Sequence, residues 1–169
     1  MNVNSKFHQL MDKLGRYRLI PDRNTGEDYM HRYYLFLKDR KWFPFNITLH
    51  EILKSDEPVF HDHPWPYMTI ILKGGYYEHT PVFDESGKLM ADISIWRGPG
   101  SIICRKSKEY HWLELHNNEP TISLFFMGPQ VKDWGFWKGK WIFAKNVLQQ
   151  IDSYLLMGVD IYAKSVKIS

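Results

Sequence analysis

Hydrophobic positions follow two different rhythms along this chain. Over residues 4–14, Phe7, Leu10, Met11 and Leu14 recur at helical spacing, and Gly15 offers a stop. From Tyr29 onward the runs shorten and become rich in β-branched and aromatic residues: 33–37, Phe45 to Leu53, Tyr67 to Leu72, Tyr76 to Phe83, Met90 to Trp96, Ser101 to Arg105, Tyr110 to Leu115 and Thr121 to Met127. Turn chemistry separates them at Lys73-Gly74-Gly75, Asp84-Glu85-Ser86-Gly87, Gly98-Pro99-Gly100 and His116-Asn117-Asn118-Glu119-Pro120. About eight short strands with regular turns predict an all-β sandwich or barrel. Helical spacing returns at 144–157, where Val147, Ile151, Tyr154 and Leu155 precede Gly158. With no linker, repeat or low-complexity stretch, the expectation is one domain over 1–169. It comprises a helix at 4–14, a β barrel across about 29–143 and a C-terminal helix at about 144–157.

Composition narrows the class. A chain of 169 residues that is 44% hydrophobic and 24% charged has the profile of a soluble globular domain. Its apolar runs are too short to span a bilayer, and Met1 to Lys6 lacks the apolar stretch of a secretory signal. Cys104 is the only cysteine, which excludes an internal disulfide and a multi-cysteine zinc site. A cytoplasmic location is expected on these grounds. Twenty-two basic and 19 acidic side chains are interspersed, so neither a nucleic-acid nor a membrane partner is expected. The unusual feature is chemical: eight histidines accompany seven Trp, ten Tyr and ten Phe.

His61-Asp62-His63 stands directly before the run Tyr67 to Leu72. In an extended chain, side chains at i and i+2 share a face with backbones about 7 Å apart, a reach that suits two ligands of one metal ion. Tyr67 shares their parity and is expected to direct its phenol into the same cavity, with Trp65 at the cavity mouth. Asp62 points the other way, as a surface residue or a partner behind the ligands. Gly74 follows His63 by eleven residues where a tight hairpin needs positive φ, and His111 follows Gly100 by eleven.

On these residues the chain resembles the cupin superfamily, whose motifs are G-x5-H-x-H-x(3,4)-E-x6-G and G-x5-P-x-G-x2-H-x3-N. His61, His63 and Gly74 match the first motif, and Gly100 and His111 the second, without a gap. Tyr67 or Met68 occupies the glutamate slot, Ser55 replaces the opening glycine, and Lys106, Lys108 and Leu115 fill the Pro, Gly and Asn positions. The resemblance covers roughly 45–127. His61 to Trp65, Gly74-Gly75-Tyr76 and Trp134 to Trp137 are similar to small cupin-like proteins of bacteria and phages. The fold it implies is a jelly-roll double-stranded β-helix with short terminal helices.

The resemblance also implies a metal site of His61, His63 and His111. Three neutral imidazoles suit a divalent transition metal, with Fe(II) the first expectation and Zn, Ni or Mn as alternatives. Three ligands leave positions open, and the three-histidine cupins that this chain resembles include iron dioxygenases. If His111 faces inward, so do Leu113 and Leu115, while Glu114 faces out. Arg105 shares that parity and is a candidate to reach an anionic substrate; with Tyr67 it completes the candidate catalytic set. His79 joins Trp65 as a candidate pocket residue. Glu78 lies beyond a hairpin, across which parity cannot be carried, so its service as a fourth ligand stays open. His8, His31, His50 and His116 are assigned to surface or core, Cys104 to an inert position, and the late tryptophans to sealing the barrel end.

Three functional readings follow: a three-histidine metalloenzyme oxidising a small molecule with O2, a non-catalytic ligand-binding or interaction module, and a metal-free nucleotide-sugar epimerase or isomerase. The last needs a histidine general base and cations for a diphosphate, among which Arg97, Arg105 and Lys106 are the candidates. Pairing of two copies through sheet edges is a further implication of the resemblance.

Overall fold

The computed structural model describes residues 5–38 and 43–144; the C-terminal helix expected at about 144–157 lies, from residue 145 on, outside the described residues. Among the described residues, one α-helix, α1 (Lys6–Lys13), precedes eleven strands, and a short 3-10 turn lies at His116–Asn118. Ser5 caps α1 by accepting from the His8 amide at 3.2 Å, so the helix starts two residues later than its apolar spacing suggests. The strands are β1 (Tyr17–Pro21), β2 (Asp28–Tyr34), β3 (Asn46–Ile52), β4 (Tyr67–Lys73), β5 (Tyr76–Phe83), β6 (Leu89–Arg97), β7 (Ile102–Arg105), β8 (Trp112–Leu115), β9 (Thr121–Met127), β10 (Gly135–Trp137) and β11 (Trp141–Phe143).

Two antiparallel sheets face each other. The larger has the order β1-β2-β3-β9-β4-β7 and the smaller β6-β5-β8, with β10 and β11 forming a separate hairpin. Side chains alternate across each strand, as along β4, where Tyr67, Thr69 and Ile71 are buried and Met68 and Ile70 are less so. Between the sheets, Met30, Ile52, Ile71 and Ile103 from the larger meet Tyr76, Leu113 and Leu115 from the smaller. The outer face of the larger sheet is covered by α1, whose Met11 packs on Tyr33 and Leu49. As parity requires, Leu113 and Leu115 point inward and Glu114 is exposed.

Two departures from the sequence reading have local causes. The run expected at 33–37 is strand only as far as Tyr34, because β2 begins earlier, at Asp28, to pair with β1. Asp22 builds that hairpin by accepting from the Asn24 and Thr25 amides at 2.9 and 3.0 Å. Beyond Tyr34 the Asn46 side chain takes over the backbone of Leu37, accepting from its N–H at 3.0 Å and donating to its carbonyl at 2.9 Å. Strand β6 is exposed along nearly its whole length and leaves Ile93, Ile95 and Trp96 at the surface.

Candidate metal centre

The segment Phe60 to His63 is threaded between two other pieces of chain. His61 and His111 exchange backbone hydrogen bonds at 2.9 and 3.0 Å on one side. On the other, the Asp62 amide donates to the Gly135 carbonyl at 3.1 Å and the Trp137 amide to the Phe60 carbonyl at 2.7 Å. This pairing places His61 and His63 on the inner face together with His111. One ligand nitrogen from each lies within 4.8 Å of the others, and Nε2 of His63 and of His111 are 2.8 Å apart.

The donor set fits a transition-metal ion. Tetrahedral coordination at about 2.0–2.1 Å separates ligand nitrogens by about 3.3 Å, so closure requires side-chain adjustments of only about 1–2 Å. Protonation of His61 and His63 does not compete at neutral pH. Burial lowers the His61 pKa to about 4, and burial followed by the neighbouring His111 and His61 holds His63 well below the ordinary imidazole value. Tyr67 places its hydroxyl 3.3 Å from His111 Nε2, and its ring stacks on Phe125 with centroids 4.8 Å apart. Burial, and next the charge of Glu78, push the phenol well above its usual pKa, so it keeps its proton. A surface groove of about 630 Å³ reaches this tyrosine between Phe45, Pro66, Arg105 and Met127.

Glu78 settles behind the triad. Only 1% exposed, it accepts from Arg97 Nε at 2.9 Å and Arg105 Nε at 2.9 Å, pairs with Arg105 Nη2 at 2.7 Å, and receives His111 Nδ1 at 3.3 Å. Burial alone would raise its pKa, but the bonds from His111 and Arg105 outweigh burial and hold the carboxyl at about 2. The Nδ1–H tautomer this imposes on His111 leaves the Nε2 lone pair facing the other two imidazoles. Both Glu78 oxygens are therefore engaged by Arg97, Arg105 and His111 Nδ1, on the side of the His111 ring away from Nε2. Arg105, expected to meet an anionic substrate, is bound in two places to Glu78. Arg97 shares that partner, so the nucleotide-sugar reading loses two of its three candidate cations.

Asp62 points away from the triad, as its parity requires, but into protein. It is 1% exposed and accepts from the Gly135 amide at 2.8 Å, from Trp141 Nε1 at 3.0 Å and from Lys132 Nζ. One carboxylate thus clasps the β10–β11 hairpin against the His61–His63 segment, and Phe136 comes to rest 6.2 Å from the His61 ring. His79 is not brought to the cluster. It lies on the opposite face of β5 from Glu78, stacked on Trp112 at 3.6 Å and bound to Asp92 and Glu114 at 3.1 Å each. Trp65 sits half-buried in the bend between His63 and β4, and Cys104 is exposed.

No protein-family model matches the sequence, and no curated protein matches it. Solved structures do. FeII HppE superposes with a TM-score of 0.50 at 11% identity, over 67% of this chain and 57% of that one, so the chain spans little over half that protein's length. A double-stranded β-helix protein from Klebsiella pneumoniae has a TM-score of 0.46 at 16% identity, over 70% of this chain and 89% of that one. A cupin superfamily protein from Desulfitobacterium hafniense has a TM-score of 0.43 at 14% identity, covering 65% and 84%. The fold is that of a cupin. The helix α1 and the jelly-roll architecture agree with the sequence reading. Among the described residues no helix is long and apolar enough to cross a membrane.

Proposed function

We propose that this cupin is a three-histidine metalloenzyme that oxidises a small molecule with O2 at a divalent transition metal, Fe(II) by preference. The observation that carries the reading is the convergence of three imidazoles, His61 and His63 half-buried and His111 buried, with a carboxylate bonded to the far nitrogen of His111. His61, His63 and His111 would hold the ion, and iron(II) there would supply one-electron chemistry toward O2. The chain's own residues do the rest. His61, His63 and His111 present nitrogen lone pairs; Glu78 holds the proton on His111 Nδ1; Tyr67 keeps a neutral hydroxyl 3.3 Å from His111 Nε2, placed to donate to a ligand oxygen. Phe136 and Phe125 shield the cluster on two sides, 6.2 Å from His61 and 6.4 Å from His63.

Metal analysis of protein purified from cells tests the first half of the proposal. One equivalent of transition metal is expected in the wild type and none in His111→Ala; wild-type protein that neither retains nor takes up metal overturns it. Electron paramagnetic resonance of the Fe(II) protein exposed to nitric oxide tests the second half. An iron–nitrosyl signal is expected, and its absence with iron bound removes the O2 reading.

A further inference from the structure

The register of β2 and β3 sets two unused polar side chains side by side within the barrel. Arg32 is the direct partner of His50, and both share the inner face with Met30 and Ile52 of the core. His50, only 6% exposed, stacks on Phe125 at 4.9 Å. The same Phe125 ring stacks on Tyr67 at 4.8 Å and lies 6.4 Å from His63, so one phenyl ring separates His50 from the histidine triad.

The hydrogen bonds determine which atoms of this pair are committed. His50 Nε2 receives Arg32 Nε at 3.1 Å and meets Thr48 Oγ1 at 2.9 Å. Arginine can only donate, so Nε2 carries the lone pair and the ring proton sits on Nδ1. Burial, and next the charge of Arg32, keep this imidazole neutral by lowering its pKa well below the ordinary value. Among the described residues, His50 Nδ1 meets no acceptor, and the two terminal nitrogens of Arg32 meet none either. Arg97 and Arg105 have their carboxylate in Glu78, whereas no described carboxylate lies within ion-pair distance of Arg32. A half-buried guanidinium without a counter-charge, beside a fixed N–H donor, matches the fork of an oxyanion.

We infer that Arg32 and His50 form an anion-binding subsite within the barrel, and that the small molecule this protein takes carries a carboxylate, phosphonate or phosphate group held there. The anion accepts from the Arg32 terminal nitrogens and from His50 Nδ1–H. Phe125 separates it from the triad, which fixes the distance between the molecule's charged end and its other end. Only the fate of that other end rests on the metal-site reading.

The test uses full-length protein, metal-free in chelator, with its histidines labelled with nitrogen-15. Methylphosphonate, acetate and neutral acetamide are the probes. A saturable shift of the His50 Nδ1–H signal is expected with at least one anion and none with acetamide. The tighter of the two anions identifies the headgroup. Arg32→Met is expected to weaken that anion at least about tenfold. Absence of a saturable shift in the wild type, or equal affinity in Arg32→Met, overturns the subsite. Should Arg32→Met fail to fold, Arg32→Lys and the wild-type titration still decide it, since lysine keeps the charge but loses the fork. Cobalt(II) uptake by the wild type is measured separately. Loss of cobalt binding in the wild type would sink the metal reading while leaving the metal-free titration valid.

Discussion

Replacing Glu78 by Gln changes one charge and almost no volume, at a position where three donors converge. A carboxyl whose pKa falls from its ordinary 4.5 to about 2 on folding contributes about 3 kcal/mol at neutral pH. The cost of removing one member of a buried ion pair is of the same order, about 3–5 kcal/mol. The lower end applies here, because the side chains of Arg97 and Arg105 keep 23% and 18% exposure and can reach water. For a chain of this length about 3 kcal/mol corresponds to a loss of about 6–12 °C in Tm. The pH dependence carries the sign. The folded pKa is depressed, so the stabilisation is complete above about pH 4.5 and is lost as pH falls toward 2. Glu78→Gln has nothing to lose in that window. Urea unfolding in chelator, followed by tryptophan fluorescence from pH 7 down to 2.5, should show a wild-type advantage near 3 kcal/mol that shrinks steadily below pH 4.5. A variant as stable as wild type at pH 7, or a gap that stays open in acid, refutes the account of Glu78 as a paired anion.

Metal uptake should also feel this change: the Gln variant is expected to bind cobalt(II) about 10–100-fold more weakly, because His111 loses the carboxylate that orients it, and equal affinity would count against that role. Proton competition from His61 and His63 should set in only well below pH 6.5, since burial lowers His61 to about 4 and holds His63 well below the ordinary imidazole value; a His61 ring resonance titrating near pH 6.5 in the metal-free protein would contradict that burial. Asp62→Ala removes the acceptor of Gly135, Trp141 and Lys132 and should destabilise by about 3 kcal/mol in urea unfolding, with a cost under about 1 kcal/mol arguing against the clasp. Gly74→Ala puts a Cβ 2.6 Å from the Pro120 carbonyl oxygen at φ +73°, so a loss of about 2 kcal/mol is expected and a neutral result would show that the hairpin relaxes.

What the sequence made readable was whatever depends on neighbours in the chain. The β-prone composition of β3, β4, β5 and β9, and the shared face of His61, His63 and Tyr67, need nothing beyond local propensity and parity. Strand β1 escaped because Tyr17 to Pro21 buries neither face fully and ends in a proline, so its alternation is faint. Missing β1 also shifted the expected start of β2, and with it the register that pairs Arg32 with His50. The role of Glu78 was hidden for a related reason. Its partners come from β6, from β7 and from the approach to β8, and no spacing along the chain records that meeting. Asp62 had the right direction assigned, but its three donors lie 70 to 79 residues downstream.

The two buried carboxylates nearest the triad both orient, and neither is left to neutralise a metal. Tyr67 occupies the slot where the cupin motif carries glutamate, and its phenol stays protonated. Glu78 is the closest anion, and two arginines more than balance it. A divalent ion on His61, His63 and His111 would therefore keep its full charge in a buried setting that already tends positive, with Arg32 adding to it across Phe125. Buried charge without compensation is costly, so the missing negative charge must come with the ligand. A monoanion at Arg32 offsets that side of the barrel alone; a ligand that also places an oxygen donor at the triad offsets both. The site is consequently expected to favour small molecules with an anionic head and an oxygen-bearing tail over neutral ones of the same size.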